Sequence, residues 1–245
     1  MTILVTGSTG RLGAPTIAAL FEAAVPVRGL TRHGPGGAIG DLYTGHGIPA
    51  ALDGIDTVVH CAQTGGAKDI RVAANLIAAA RDAGVRHLVL VSIVGIEAMP
   101  IAYYGQRLEI EQAVERSGIP FTLQRATQFH ELLLKIFESQ RRLPVAVVPA
   151  IDMQPVAAEE VGHKLAALAL GEPRGRVPDI GGPETLPLSE FFGQWKELRG
   201  VRKASVPVAV PGALGRAFRA GRNVVPGPAF GRQTFAQFLG ELGPR

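Results

Sequence analysis

The sequence predicts an α/β protein built on a doubly wound parallel sheet, with a small C-terminal lobe formed by the less regular second half. Three observations carry that prediction. Short apolar runs and helical periods alternate from the first residues to about residue 125. The first apolar run, Ile3-Leu4-Val5, passes at once into a turn with Gly7, Gly10 and Gly13 and then into a helical pattern. The later run His87-Leu88-Val89-Leu90-Val91 is continuously apolar, as expected of a strand covered on both faces.

The elements follow in order. After the first strand, residues 14–21 read as a helix and Val25–Thr31 as a second strand. Residues 33–40 hold four glycines and a proline and make a poor helix. Residues 48–53 suggest one or two helical turns, and Asp56–His60 a strand. Residues 67–83 form an Ala-rich helix with Ile70, Ala73, Ala74, Ile77 and Ala80 along one stripe. Arg86–Ser92 is a strand, 103–117 a helix ended by Gly118, and Phe121–Gln124 a further strand. Beyond it, 129–139 reads as helix, Val145–Val148 and Met153–Val156 as short strands, and 157–170 as a helix with Val161, Leu165, Leu168 and Ala169 inward. Val177–Ile180 is a strand, 188–199 a helix, Val206–Val210 a strand, and short helices near 211–220 and 233–242 close the chain. With no internal repeat, the whole of 1–245 reads as one domain, a core over 1–128 and the lobe over 129–245.

Composition narrows the function classes. Hydrophobic residues at 47% against 19% charged ones fit a globular protein with a sizeable core. The net charge of +4 is scattered, with only short pairs such as Arg141-Arg142, and aromatics at 6% are too sparse for a base-stacking surface. Nucleic acid is therefore not the expected partner. One cysteine, Cys61, excludes an internal disulfide and a cysteine-based zinc site. It sits at a strand end and reads as a packing residue rather than a nucleophile. No run reaches membrane-spanning length and no leader pattern is visible, so a cytoplasmic, membrane-independent protein is expected.

Chemistry concentrates in a few places. Strand, glycine turn and helix together offer backbone N–H groups and a helix N-terminus to a pyrophosphate. Gly7 allows the tight turn, Gly10 lets the backbone approach phosphates, and Gly13 lets the helix pack closely; Ser8, Thr9, Arg11 and Leu12 complete the loop. The second strand ends in Thr31-Arg32-His33, with no carboxylate to hold a ribose 2′-hydroxyl. Arg32 suits a 2′-phosphate instead, which favours NADP(H) over NAD(H). Asp41, in Gly40-Asp41-Leu42, has two readings: an acceptor for the adenine amine, or a turn aspartate. Tyr103 and Arg107 lie four apart at a helix start and face the same way. A phenol beside a fixed cation can donate a proton to a carbonyl, though Tyr104 next door leaves the choice of tyrosine open, and a surface pair is the competing reading.

In their order along the chain, Thr6-Gly7-Ser8-Thr9-Gly10-Arg11-Leu12-Gly13, Gly40-Asp41-Leu42, Leu90-Val91-Ser92 and Tyr103-Tyr104-Gly105-Gln106-Arg107 resemble atypical short-chain dehydrogenases/reductases, in particular their NmrA-like, NAD(P)H-binding branch. The segment from Gly118 to His130, Met153-Gln154-Pro155-Val156 and Gly181-Gly182-Pro183-Glu184 resemble later landmarks of the same group. The resemblance covers most of the chain and is least characteristic over the last 50 residues. It implies a Rossmann-type fold, a bound nicotinamide dinucleotide, and a catalytic set of Tyr103, Arg107 and Ser92. It also implies cofactor contacts at Cys61, Ala62 and Gln63, at Arg107, and at Ala126, Gln128 and Phe129. The substrate pocket falls at His130 and Gln154 in the substrate-side lobe. His130 has two readings, an acid/base or the residue that starts a helix. Two departures stand out. Arg107 occupies the position of the family's lysine, and Ile93-Val94-Gly95 offers no hydroxyl beyond Ser92, where many members carry one. The segment between Arg32 and Gly40 is also short, as if the usual helix and strand were trimmed. An NADPH-dependent reductase of a small carbonyl or quinone-like substrate, monomeric or homodimeric, is the expected function. A non-catalytic dinucleotide sensor is the alternative, and sugar-nucleotide epimerisation a weaker third.

Overall fold

A computed structural model of the chain describes residues 1–32 and 37–243, so the glycine-rich stretch expected to be non-helical lies partly, at 33–36, outside the described residues. In chain order the elements are β1 (Ile3–Thr6), α1 (Gly13–Glu22), β2 (Val27–Thr31), β3 (Ala38–Ile39), α2 (Ile48–Ala51), β4 (Thr57–His60), α3 (Lys68–Asp82), β5 (His87–Ile93), α4 (Ala102–Glu115) and β6 (Phe121–Ala126). There follow α5 (His130–Ser139), β7 (Val145–Pro149), β8 (Asp152–Met153), α6 (Ala158–Leu170), β9 (Gly175–Arg176), β10 (Leu186–Pro187), α7 (Leu188–Leu198), β11 (Ala204–Val208), α8 (Gly212–Arg219) and α9 (Phe235–Glu241). They form two compact units, the first of Met1–Ser92, Ala102–Arg125 and Ala158–Pro178, the second of Ile93–Ile101, Ala126–Ala157 and Asp179–Arg245.

The first unit carries a seven-stranded sheet in the order β3-β2-β1-β4-β5-β6-β9. β1 pairs in parallel with β2 and with β4, so the winding reverses at β1. Every residue of β1 and β4 is buried, which explains why their sequences do not alternate. Leu4, Val58 and Leu88 of the strands close one core with Leu76 and Ile77 of α3 and Ile110 and Val114 of α4. On α3 the buried stripe is rotated from the expected one: Val72 and Leu76 are inside with Ala73, Ile77 and Ala80, whereas Ala74 is exposed. Val72 and Leu76 take core-facing positions in preference to Ala74, because each buries more apolar area. Helix α6 lies against α1. Gly162 permits that approach, because a Cβ there would lie 2.9 Å from the Thr16 backbone N. The strand expected to be trimmed between Arg32 and Gly40 is present as the two-residue β3, parallel to β2.

The second unit has its own aromatic core of Phe137, Phe191, Phe192, Trp195 and Phe235. Phe137 meets Phe192 and Phe235 edge-on, the arrangement favoured by ring quadrupoles. Its strands are short: β7 and β11 pair in parallel, β8 and β10 antiparallel. A capping box closes the start of α9, with Gln237 N–H donating to Thr234 Oγ1 at 3.2 Å and Thr234 N–H to Gln237 Oε1 at 2.8 Å.

Three expected strands are corrected. In place of Val177–Ile180 the strand is Gly175–Arg176, and Ile180 makes only a bridge to Ala126. In place of Met153–Val156 it is Asp152–Met153, with Val156 bridging Phe129. Pro178 and Pro155 have no N–H to donate, so neither run extends as a ladder. The last strand begins two residues earlier than expected and stops at Val208.

Candidate functional site

The site is built first from the loop after β1. Gly7 has φ +63°, and a Cβ on it would sit 2.8 Å from the backbone N and Cα of Ala62, in the turn after β4. The loops after β1 and β4 therefore touch backbone to backbone, at the point where the sheet reverses and open α/β sheets bind ligands. Gly10 N–H donates to Gly7 O at 2.8 Å, and a Cβ on Gly13 would fall 2.1 Å from that same oxygen. Gly13 is thus needed for the loop to fold on itself, a role distinct from the helix–strand packing expected of it. Ser8 is buried and donates to Leu30 O at 3.1 Å, pinning the loop to β2, whereas Thr9 and Arg11 are exposed and Leu12 is buried. Leu12 contributes no side-chain cap to α1. In the first turn of α1, Ala14 N–H donates to Gly10 O at 3.0 Å and Thr16 N–H to Leu12 O at 3.2 Å, and Pro15 has no N–H.

The turn after β4 is ordered by buried polar contacts. Thr6 Oγ1 lies 2.8 Å from His60 Nδ1 and accepts from Ala62 N–H at 3.2 Å. Burial, with the charge of Arg107 acting in the same direction, takes the His60 pKa down to about 3, so the ring is neutral. Burial pushes the Cys61 thiol up to about 12, which leaves it protonated and inert, as the packing reading requires. Asp69 is only 1% exposed, and its carboxylate accepts from Thr64 N–H and Thr64 Oγ1 at 2.6 Å each and from Gly65 N–H at 3.2 Å.

Helix α4 supplies the second half. Tyr103 donates its hydroxyl to Gln63 Oε1 at 3.2 Å. Burial raises its phenol above the ordinary range, against the opposing pull of Arg107. Tyr104 packs edge-on against Tyr103, their centroids 6.4 Å apart. Arg107 is 1% exposed, its Nη2 donating to Val91 O at 2.5 Å, while Nε and Nη1 have no partner. Ser92, at the end of β5, is buried and its Oγ has no partner either. Buried donors left without acceptors are rare in folded proteins, and a glycine cradle beside a β-sheet reversal is not built for packing alone. A dinucleotide, with phosphates for the cradle and ribose hydroxyls for a guanidinium, fits both features.

The other predicted residues fall as follows. Arg32 is exposed at the end of β2. Asp41 Oδ1 accepts from Tyr43 N–H at 2.8 Å, and Asp41 O from Gly45 N–H at 2.8 Å, so its geometry is that of a turn aspartate. In the second unit, Ala126 O accepts from Val94 N–H at 3.1 Å and Gln128 O from Val156 N–H at 2.8 Å. Gln128 Oε1 is buried without a partner, and Phe129 stands at the N-cap position of α5 with no side-chain cap. Gln154 is occupied: its Nε2 donates to Gly182 O at 3.1 Å and its Oε1 accepts from Val225 N–H at 2.7 Å, which clamps two loops together. His130 opens α5 and is fully buried, stacked on Phe238, with Nε2 3.1 Å from Gln233 O. Burial takes its pKa down to about 4, so at neutral pH it is an uncharged packing residue, and the helix-start reading describes its place in the structure. Sequence reading overlooked Asp69, although a loop Thr64-Gly65-Gly66 followed by an aspartate in the first turn of a helix was a usable signal. It also overlooked the buried pair Glu111–Arg125, whose spacing in sequence gives no sign of contact. Among the described residues, no group of three or more His, Cys, Asp or Glu is placed to hold a metal, and no helix is long and apolar enough to cross a membrane.

The NmrA-like family model matches residues 1–150, which hold the glycine loop, Ser92, Tyr103 and Arg107. The chain belongs to the NmrA-like family. Two curated relatives agree. An NAD(P)H azoreductase of Xenophilus azovorans is 30% identical over 204 residues, 75% of this chain and 69% of that protein. A (4-alkanoyl-5-oxo-2,5-dihydrofuran-3-yl)methyl phosphate reductase of Streptomyces griseus is 33% identical over 219 residues, 81% of this chain and 74% of that protein. Among solved structures, an NADPH-dependent quinone oxidoreductase of Escherichia coli, complexed with NADPH, matches with a TM-score of 0.82 at 17% identity, over 98% of this chain and 99% of that one. At that identity the likeness speaks for the fold, a parallel α/β sheet of the same kind.

Proposed function

We propose that this NmrA-like chain is an NAD(P)H-dependent oxidoreductase that reduces a small carbonyl or quinone-like molecule, with NADPH preferred over NADH. The observation that carries the reading is Arg107: a buried guanidinium fixed at Nη2 by Val91 O, one helical turn from Tyr103, with Nε and Nη1 unpartnered. A structural arginine would spend those donors on the protein, whereas one that holds a ribose keeps them for the ligand. The reductase names of the curated relatives support the same chemistry. When bound, the dihydronicotinamide supplies the hydride. The chain does the rest. Backbone N–H groups of the Gly7–Gly13 loop and the α1 N-terminus bind the pyrophosphate, and Arg107 orients the nicotinamide ribose. Tyr103, a phenol that is protonated at neutral pH and whose pKa burial raises further, gives the proton to the substrate oxygen, and Arg107 stabilises the phenolate left behind. Ser92 Oγ is the hydroxyl for orienting the substrate oxygen. The exposed Arg32, with no carboxylate beside it in sequence, supports a 2′-phosphate contact.

One feature favours a second reading, a dinucleotide sensor without turnover: Val94 is buried and apolar where many family members carry a hydroxyl. NADPH oxidation against a panel of aldehydes, ketones and quinones separates the two. The reductase reading expects turnover that falls roughly 10²–10⁴-fold in Tyr103→Phe with NADPH affinity unchanged. Tight NADPH binding with no turnover on any substrate, and none lost in Tyr103→Phe, establishes the sensor instead.

A further inference from the structure

The two-stranded ribbon of β7 and β11 in the second unit turns an apolar face to solvent. Ala146 and Val148 of β7 point into the aromatic core. The parallel register sets Val145 beside Ala204, Val147 beside Val206 and Pro149 beside Val208, so these six side chains share the opposite face. The four valines among them are 40% to 51% exposed, and none of the six residues is polar. A half-buried strand ordinarily carries polar residues on its outer face, and this ribbon does not. Its edges, by contrast, are closed. Val208 O accepts from Ala150 N–H at 2.9 Å, so Val208 turns its backbone to β7 and its neighbour Pro207 faces the open edge of β11, where it has no N–H to offer. On the far edge of β7, Val147 N–H is taken by Gln140 Oε1 at 2.8 Å. A partner strand finds both edges blocked, and the face alone is left to be covered.

Charge says what covers it. At the start of the ribbon, Lys203 Nζ donates to Arg141 O at 2.8 Å and draws together the segments before β7 and β11, where Arg142 and Arg202 are exposed. Just beyond the other end stands the exposed Asp152, and Leu188 N–H donates to Ile151 O at 2.8 Å, which brings the first turn of α7 with its exposed Glu190 to the same end. The ribbon is thus basic at one end, apolar in the middle and acidic at the other. A two-fold axis through the middle lays the ribbons of two copies antiparallel, with the basic end of each over the acidic end of the other. We propose that the outer face of β7 and β11 is the interface of a homodimer, closed by contact of the two valine faces and by Arg142 and Arg202 of one copy against Asp152 and Glu190 of the other. An anionic lipid surface would be repelled by Asp152 and Glu190, whereas a second copy uses both ends. The apolar patch is on the order of a few hundred Å², a size often functional on a monomer. It falls short of the roughly 800 Å² per partner of a standard stable interface, so the dimer exchanges with monomer and needs its charged ends.

The test is sedimentation velocity of the full chain over about a hundredfold range of protein concentration. The unaltered chain is expected to pass from monomer to dimer as concentration rises. Val147→Lys, at the centre of the face, should weaken the dimer roughly 100-fold and leave the circular dichroism and thermal melting of the monomer unchanged, because that side chain lies in solvent. Two charge variants test the arrangement. Arg142→Glu/Arg202→Glu makes both ends acidic, and Asp152→Arg/Glu190→Arg makes both basic. Each alone should stay monomeric, whereas an equimolar mixture of the two should form a heterodimer. A chain that is monomeric over the whole range, or a dimer that survives Val147→Lys, overturns the proposal. So does a mixture of the charge variants that forms no more dimer than either alone. A monomeric chain that instead co-sediments with phosphatidylglycerol vesicles assigns the face to a lipid surface and overturns it as well. Every readout is a mass, taken without NADPH or substrate, so the outcome is independent of the oxidoreductase reading.

Discussion

Two buried arginines, Arg125 of β6 and Arg107 of α4, have nearly the same burial and opposite hydrogen bonding. Arg125, 3% exposed, is held by Glu111 of α4 through two charge-assisted bonds. Arg107, one turn before Glu111 and 1% exposed, has one bond to a backbone oxygen and two nitrogens without partners. Taking a guanidinium out of water is costly, so a fold tolerates it when its donors are used, and the pair at Glu111 meets that condition within the protein. Arg107 does not. Burial lowers its pKa, against the opposing influence of the Tyr103 phenolate form, Asp69 and Glu111. The difference separates an arginine whose donors are spent within the protein from one with donors left over for the ligand proposed above, and neither burial nor residue type alone would have shown it.

The largest test of that contrast is Glu111→Gln. It leaves Arg125 buried without its counter-charge and should cost about 3–5 kcal/mol in urea unfolding, whereas the double replacement Glu111→Met/Arg125→Met should recover most of the loss. A Glu111→Gln protein of unaltered stability would mean the two arginines are not so different after all. Next comes Arg107→Met. Here the fold should lose about 1 kcal/mol or less, since an incompletely bonded guanidinium leaves the interior, while NADPH affinity measured by fluorescence titration falls roughly 10–100-fold. A large stability loss with intact affinity would reverse the assignment and make Arg107 structural. A pH profile sharpens the picture one turn before Arg107, at Tyr103. Because burial raises the Tyr103 phenol, turnover is expected to hold through neutral pH and to fall only in alkaline solution as the donor loses its proton. A limb falling near neutrality would point to another donor. The smallest effect is expected at the exposed Arg32. Arg32→Ala should weaken NADPH binding roughly tenfold or less and leave NADH unchanged, and equal losses for both would remove the 2′-phosphate contact.

Much of the first unit was legible because its signals are local. A four-residue apolar strand, a glycine turn and an amphipathic helix each state their structure within one short window, and β1, α1, β4, α3, β5 and α4 all lie within a few residues of where the periodicity put them. The spacing that turned Tyr103 and Arg107 to one side of α4 was equally local. The second unit was harder to read because β8 and β10 are two residues long and exist only where a distant partner meets them. His130 illustrates the same limit at a side chain. Its type suggested an acid or base, and only the stack on Phe238, more than a hundred positions away, together with burial, made it neutral packing.

The sequence by itself determined the order of strands and helices, the glycine loop with its three required glycines, and the membership of a dinucleotide-binding family, because each depends on neighbours within a turn or two of chain. What only the tertiary structure decided is how the buried polar groups pair. Glu111 takes Arg125 from the next strand, Asp69 takes the turn that carries Gln63, and Arg107 is left with unused donors. Hydrogen bonds and ion pairs of that kind are set by distances across the fold, and in a poorly solvating interior each partner gained or withheld decides whether a side chain serves the core or is held for a ligand.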